Sequence, residues 1–218
     1  MKVEIWSDVM CPFCYMGKRK FEKALMQFPH SEKIDIEWKS FQLSPDMQTN
    51  PEISVHESLA AMKGMSTEQA RSLGEQVAAR AAQEGLTYNF DQAVVANSFN
   101  AHRFSHLAKK HGLQDEAEEA LFKAYFTDGK NIDDHETLAD LGASVGINRN
   151  EVLDMLNSDE YDDEVRMDIH EARQVGVSGV PFFVFNRKYA VSGAQDSSVF
   201  LETLQKSFAE WTVEGSGD

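Results

Sequence analysis

The only two cysteines of this 218-residue chain, Cys11 and Cys14, stand two residues apart at a predicted strand-to-helix junction. Residues 2–8 alternate apolar and polar side chains as a strand does, and a helical pattern follows the second cysteine. At such a junction the first sulfur lies at a helix N-terminus, where free backbone N–H groups and the helix dipole favour the thiolate. We therefore predict that Cys11 attacks disulfides and that Cys14, one turn further on and less exposed, resolves the mixed disulfide.

Composition and charge restrict the class of function. Hydrophobic residues make up 42% of the chain and charged residues 26%, as in an ordinary globular protein. A formal net charge of -15 repels phosphates and anionic lipids, so neither nucleic acid nor a membrane is an expected partner. A strand pattern that begins at Lys2 leaves no room for a signal peptide, and two cysteines in one motif do not form a disulfide framework. We expect a cytoplasmic protein.

Hydrophobic periodicity predicts that residues 1–53 form a strand, a helix and a second strand. The helix places Phe21, Leu25 and Phe28 on one apolar face. Residues 34–41 alternate clearly enough to be the second strand. This order is the beginning of an α/β layer.

The middle of the chain, residues 54–175, is rich in Ala, Glu, Gln, Leu and Lys, and its apolar residues recur at helical spacing. We predict that it is an inserted all-helical domain. Its helices are predicted at residues 55–62, 67–84, 90–111, 115–126, 135–145, 149–157 and 160–175.

Two-residue alternation returns near the C-terminus and predicts a hairpin of strands 182–185 and 189–192. A last helix is predicted over 197–211. Residues 176–211 would thus complete the α/β part, and residues 212–218 are expected to be a flexible tail.

Four motifs in this order resemble the FrnE-like cytoplasmic members of the DsbA family, in the thioredoxin superfamily. They are Asp8-Val9-Met10-Cys11-Pro12-Phe13-Cys14-Tyr15, Phe41-Gln42-Leu43-Ser44-Pro45, Ala101-His102-Arg103 and Gly176-Val177-Ser178-Gly179-Val180-Pro181-Phe182-Phe183-Val184. The resemblance implies an α/β, thioredoxin-like fold with a large inserted helical domain, in which residues 1–53 and 176–211 are two parts of one domain. It also implies a protein-disulfide oxidoreductase or isomerase.

The resemblance further implies that Pro181 is cis and faces the cysteine pair. A cis turn would direct the backbone N–H and C=O of Val180 outward, where an extended substrate can pair with them. For Asp8 three roles stay open: raising the thiol pKa, accepting a proton from Cys14, or capping the helix or its loop.

The two residues between the cysteines, Pro12 and Phe13, tune the thiolate. DsbA itself carries Pro-His there, and Phe13 offers Cys11 neither a hydrogen bond nor a charge. We therefore predict a reduction potential between those of thioredoxin and DsbA, roughly -270 and -120 mV. The basic run of Lys18, Arg19 and Lys20 is interpreted as a solvated helix face.

Substrate contacts are predicted from flexible thioethers and apolar side chains around the sulfurs, and from a helical stretch that lines the interdomain cleft in related enzymes. These candidates are Met10, Met16, Phe41 and Leu43, and in the helical stretch Asn97, Asn100, His102 and Phe104. A buried, hydrogen-bonded imidazole is the alternative for His102.

No cofactor beyond the redox-active disulfide is expected, with glutathione as a candidate co-substrate. The expected partners are protein or peptide thiols and disulfides, recycled by glutathione or a thioredoxin-type system. Three alternatives stay open. The first is a glutathione-dependent isomerase or transferase of the kappa or hydroxychromene-carboxylate isomerase type, which usually has serine in place of Cys11. The others are a peptide-binding chaperone and a zinc site of Cys11, Cys14, His102 and His106.

Overall fold

A four-stranded mixed sheet forms the centre of the computed structural model, which describes residues 1–214. Strand β1 (Lys2–Ser7) pairs in parallel with β2 (Asp35–Ser40) and antiparallel with β5 (Phe182–Phe185). Strand β6 (Tyr189–Ser192) pairs with β5, which gives the order β2-β1-β5-β6. The central strand β1 is almost wholly buried, as its apolar residues require.

Helices cover both faces of this sheet. On one face, α1 (Pro12–Gln27) and α9 (Ser197–Glu214) pack together. There Phe21 contacts Phe183 and Phe200 at ring-centroid distances of 5.4 and 5.7 Å. On the other face lies α8 (Asp162–Gln174), whose Asp168 carbonyl accepts a hydrogen bond from Trp6 Nε1 at 3.1 Å.

The insertion between β2 and β5 is predominantly helical, as predicted. Before α8 it contains α2 (Val55–Lys63), α3 (Thr67–Gln83), α4 (Phe99–Lys110), α5 (Gln114–Phe126), α6 (His135–Val145) and α7 (Arg149–Leu156). Ser54 and Ser66 start α2 and α3 with complete capping boxes. The left-handed glycines Gly64 and Gly146 end α2 and α6.

The prediction that a helix begins at residue 90 is wrong. Asn89 is tied to the end of α5, since its backbone N–H and its side-chain amide donate to the carbonyls of Phe126 and Thr127, both at 2.6 Å. Asn97 Oδ1 then accepts the N–H of Phe99 at 2.8 Å, an Asx turn that starts α4 there.

The residues ahead of α4 contain a short strand, β4 (Val94–Val95), which pairs antiparallel with β3 (Asn50–Ser54). Neither strand was predicted. The insertion is therefore not helical throughout.

The C-terminal prediction needs a correction as well. Helix α9 reaches Glu214, so residues 212–214 are not a tail, and residues 215–218 lie outside the described part of the chain. Within residues 1–214, no helix combines the length and apolar character needed to cross a bilayer.

Candidate active site

Cys11 occupies the N-cap position of α1 in an extended conformation, with φ -87° and ψ 112°, and its side chain makes no capping hydrogen bond. Pro12 occupies the first helical position. The first turn contains no acidic residue, so no carboxylate offsets the partial positive charge at this end of the helix. Only 4% of Cys11 is exposed. Its thiol donates a hydrogen bond to the carbonyl oxygen of Val180, with an Sγ–O distance of 3.5 Å.

Cys14 is fully buried behind Cys11, and both cysteines are free thiols. Burial raises the pKa of the Cys14 thiol well above its ordinary value, and the adjacent Cys11 sulfur raises it further. The hydroxyl of Ser7 and the backbone of Asp8 act in the opposite direction. The two cysteines therefore differ in environment, because Cys11 contacts the Val180 carbonyl and keeps a small exposed fraction, whereas Cys14 is sealed from water.

The segment before β5 places a proline directly on α1. The Val180–Pro181 peptide bond is cis. Gly17 lies against this proline: a Cβ on Gly17 would be 2.9 Å from Pro181 Cγ and 3.4 Å from Phe183 Cζ. The missing side chain thus allows α1 and the Val180–Pro181 segment to approach each other. Sequence reasoning missed Gly17, although a glycine within a helical pattern can indicate close packing at that position.

Asp8 caps the loop that leads into α1. Its buried carboxylate accepts hydrogen bonds from the backbone N–H of Met10 at 3.2 Å and of Leu43 at 2.7 Å. The Cys11 N–H also donates to the Asp8 carbonyl at 2.9 Å. Of the three roles left open for Asp8, this geometry provides the cap, and it fastens the cysteine loop to the segment after β2.

The comparison with known proteins identifies the family. The sequence profile of the DSBA-like thioredoxin domain matches residues 2–205. The chain belongs to this family. The resemblance to the DsbA family and the α/β, thioredoxin-like fold with a helical insertion are thereby confirmed.

Three solved structures are similar to this DsbA-family chain. A probable DsbA oxidoreductase from Streptomyces coelicolor is 41% identical, with a TM-score of 0.89, and the match covers 96% of this chain and 91% of that one. A 2-hydroxychromene-2-carboxylate isomerase has a TM-score of 0.68 at 16% identity, covering 99% and 98%. The cytosolic disulfide reductase DsbM from Pseudomonas aeruginosa, with glutathione, has a TM-score of 0.60 at 17% identity, covering 98% of each chain. The last two show the fold alone.

Two of the substrate contacts predicted in this DsbA-family chain lie in the interior. Phe104 is fully buried and His102 is 2% exposed, so neither side chain lies at the surface. His102 Nε2 is 2.9 Å from the Phe41 carbonyl oxygen and 3.8 Å from Asp8 Oδ1. Burial lowers the pKa of His102, and a neutral ring then donates from Nε2 to Phe41. The buried alternative for His102 is thus the one observed.

The other candidates around the sulfurs differ in exposure. Leu43 is 50% exposed, Met10 and Phe41 are half-buried, and Met16 is buried with 4% exposed. Phe13, between the cysteines, is 39% exposed. Leu43 and Phe13 are therefore the most exposed apolar side chains among the residues predicted for the site.

Asn97 and Asn100 are half-buried and have partners within the protein. The Asn97 amide donates to the carbonyls of Pro45 and Met47 at 3.2 and 2.8 Å, which shapes the loop after β2. Asn100 Nδ2 donates to Asp133 Oδ1 at 2.8 Å. Their contact with substrate stays a prediction.

The basic run after Cys14 is not the solvated face that was predicted. Lys18 is 3% exposed, and its ammonium group pairs with Glu22, with Asp115 at 3.0 Å and with Glu119 at 3.4 Å. Arg19 also pairs with Glu22 and Glu119. These carboxylates neutralise Lys18 and Arg19. The positive charges of the two side chains therefore act between α1 and α5 and not on the sulfurs.

Tyr88 supports the active-site helix and was missed by sequence reasoning. Its hydroxyl donates to the Pro12 carbonyl oxygen at 2.7 Å. Its ring stacks on Phe126 at 4.5 Å and lies 6.1 Å from Tyr15. Burial raises the pKa of Tyr88, which keeps the hydroxyl protonated as a donor. No local pattern marks a residue between two helices as a neighbour of the cysteine motif.

The two histidines of the zinc alternative are engaged in other contacts. His106 Nε2 lies 3.0 Å from Asp168 Oδ2 and 3.2 Å from Ser40 Oγ, while His102 binds Phe41. Both imidazoles therefore have partners other than the sulfurs. Across residues 1–214, no group of three His, Cys, Asp or Glu side chains is placed to hold a metal ion.

Proposed function

We propose that this DsbA-family protein is a thiol–disulfide oxidoreductase that acts through Cys11 and Cys14. The observation that carries the proposal is the position of the Cys11 sulfur. It lies at the N-terminus of α1, 3.5 Å from the Val180 carbonyl, with Cys14 buried behind it. An extended substrate that pairs with the Val180 backbone would bring its own sulfur over Cys11.

The reaction cycle uses only thiols and disulfides. The Cys11 thiolate attacks a substrate disulfide, forms a mixed disulfide and expels the first substrate sulfur as a thiolate. Cys14 then loses its proton and attacks the Cys11 sulfur, which expels the second substrate sulfur. Two electrons pass to the substrate, the Cys11–Cys14 disulfide forms, and the protons lost by the cysteines go to the two leaving thiolates. Run in reverse, the cycle donates a disulfide.

Protein or peptide thiols and small thiols are the proposed substrates, in the cytoplasm. Three features support this: the two cysteines are confined to one motif, the net charge is -15, and the solved DsbM relative contains glutathione. Glutathione or a thioredoxin-type system would recycle the pair.

A glutathione-dependent isomerase is the second candidate, because the hydroxychromene-carboxylate isomerase fold matches nearly the whole chain. Such chemistry needs a sulfur or hydroxyl group at position 11 but does not need the second sulfur, that of Cys14. Replacing Cys14 with serine would therefore abolish net disulfide turnover but spare an isomerase. A chaperone would keep its ability to prevent aggregation when both cysteines are replaced.

The decisive experiment measures the reduction potential of the Cys11–Cys14 couple by thiol trapping in a series of glutathione buffers. We expect a two-electron transition between about -270 and -120 mV, abolished in Cys14→Ser. A value below about -240 mV would make the protein a reductant, and one above about -200 mV an oxidant or isomerase. Failure to form the intramolecular disulfide would refute the proposal.

A further inference from the structure

A cavity of about 270 Å³ opens beside the exposed ring of Phe13. It lies between α1 and α3, and the segment before α9 closes one side through Ala194. Phe13 and Met16 form its apolar end next to the cysteine motif, and Arg80 and Gln83 of α3 form its polar end. Its volume is just below the roughly 300–1,000 Å³ of ligand pockets, so it has room for part of a small molecule and not for a folded domain.

The polar end of this cavity carries a positive charge that the protein does not neutralise. Arg80 is exposed and makes no ion pair or hydrogen bond with any other residue of the described chain. Lys20 also lines the cavity, but its charge is balanced: its ammonium group donates to the Ala194 carbonyl at 3.2 Å and pairs with Asp196 at 3.5 Å and with Glu84 at 3.9 Å. The one acidic lining residue, Glu84, pairs with Lys23 at 2.6 Å.

This local charge contrasts with the rest of the molecule. A chain with net charge -15 repels small anions at long range. An unpaired guanidinium group in a concave site is suited to a carboxylate, which it can bind in a bidentate manner. The apolar end next to Phe13 would receive the uncharged part of the same molecule, whose sulfur reaches Cys11.

We propose that this cavity is a subsite for the carboxylate of a small peptidyl disulfide, of which oxidised glutathione is the test compound. The inference deepens the proposed oxidoreductase function and rests on it. Arg80 binds the carboxylate and Phe13 contacts the adjoining apolar part, while the exchange at Cys11 is unchanged. Arg80 thus determines specificity for charge and takes no part in bond making.

The test compares two disulfides of different charge. The reduced protein is mixed at low ionic strength with oxidised glutathione or with neutral bis(2-hydroxyethyl) disulfide, and the second-order rate constant is measured by thiol trapping. In Arg80→Gln we expect the rate with oxidised glutathione to fall about fivefold, equivalent to about 1 kcal/mol. The rate with the neutral disulfide should change less than about twofold.

Arg173→Gln is the matched control. Arg173 is likewise exposed, but it lies on α8, which packs on α4 and β2. The control removes the same charge from the molecule, and its rate with oxidised glutathione should stay within about twofold of the wild type. Arg80→Lys should restore most of the loss, because the charge returns.

The possible results distinguish failure of the subsite from failure of the oxidoreductase function. Three results would overturn the subsite: Arg80→Gln lowers the rate equally with both disulfides, Arg80→Gln lowers it with neither, or Arg173→Gln lowers the rate with oxidised glutathione as much as Arg80→Gln does. In each case, reaction of the wild-type protein with the neutral disulfide would still support the oxidoreductase function. Wild-type protein that reacts with neither disulfide would overturn the proposed function and the subsite together.

Discussion

Ser7, at the end of β1, provides the most specific prediction about the resolving step. Its hydroxyl is buried and has no hydrogen-bond partner among the described residues while Cys14 is a thiol. The same hydroxyl favours the charged form of Cys14. A buried donor without a partner is therefore available when negative charge develops on the Cys14 sulfur. We predict that Ser7→Ala slows the attack of Cys14 on the mixed disulfide.

The size of the effect follows from the strength of that hydrogen bond. A hydrogen bond to a charged group contributes about 1.5–3 kcal/mol, and 1.36 kcal/mol corresponds to one pKa unit. The pKa of Cys14 should thus rise by about one to two units in Ser7→Ala. Each unit reduces the thiolate fraction about tenfold but makes the thiolate about threefold more nucleophilic. The net expectation is a rate about three- to tenfold lower.

The assay follows a single turnover. Cys11 is linked in a mixed disulfide to a chromogenic aromatic thiol at low pH, the pH is raised to neutral, and release of the thiol by Cys14 is timed. Ser207→Ala is the control, because Ser207 Oγ is also buried and unpartnered within residues 1–214 but lies on α9. An unchanged release rate in Ser7→Ala, or the same slowing in Ser207→Ala, would refute the reasoning. The reduction potential at neutral pH should not change, since Cys14 stays protonated in both reduced proteins.

Three further predictions concern close packing and buried charged groups. Gly17→Ala places a Cβ 2.9 Å from Pro181 Cγ, so it should destabilise the protein by about 1–3 kcal/mol and slow disulfide exchange; unchanged values of both would contradict the packing. Burial raises the pKa of Glu118 to about 7, so ionisation costs stability as the pH rises. Glu118→Gln should therefore be about 3 kcal/mol more stable than the wild type at about pH 8 and nearly equal at about pH 4, measured by urea unfolding. Asp168→Asn should cost about 2 kcal/mol at neutral pH, because Lys39 and His106 lose a partner, although Lys39 keeps Glu37 and Glu171. The Asp168 partners lower its pKa, so this difference should disappear only as the pH falls below about 4 in acid-titrated unfolding.

Features with a local cause could be predicted from the sequence. The cysteine motif lies at a strand-to-helix junction because Pro12 suits the first turn of a helix. The hairpin of β5 and β6 turns where Asn186 and Arg187 adopt positive φ values of 49° and 56°. Its strands agree with the alternating pattern of residues 182–192. Each of these depends on neighbours within a few positions along the chain.

Features set by distant parts of the chain could not be predicted in this way. Lys18 is buried because Asp115 and Glu119, a hundred residues away, supply its counter-charges. The start of α4 is set by Asn89 and Asn97, which bind other segments more favourably than a continuous helix would allow. Helical periodicity cannot distinguish these outcomes, because tertiary contacts override local preference.

The insertion fixes the active site in addition to covering it. Tyr88 binds the Pro12 carbonyl at 2.7 Å, and His102 binds the Phe41 carbonyl at 2.9 Å. Tyr15, directly after Cys14, donates to Glu119 Oε1 at 2.6 Å. The first and third contacts position α1, and the second positions the segment whose Leu43 N–H binds Asp8. Because all three contacts come from residues of the insertion, a change in how the insertion packs would move the sulfurs and Val180 relative to each other. The insertion is therefore part of the framework that holds the cysteine motif in place.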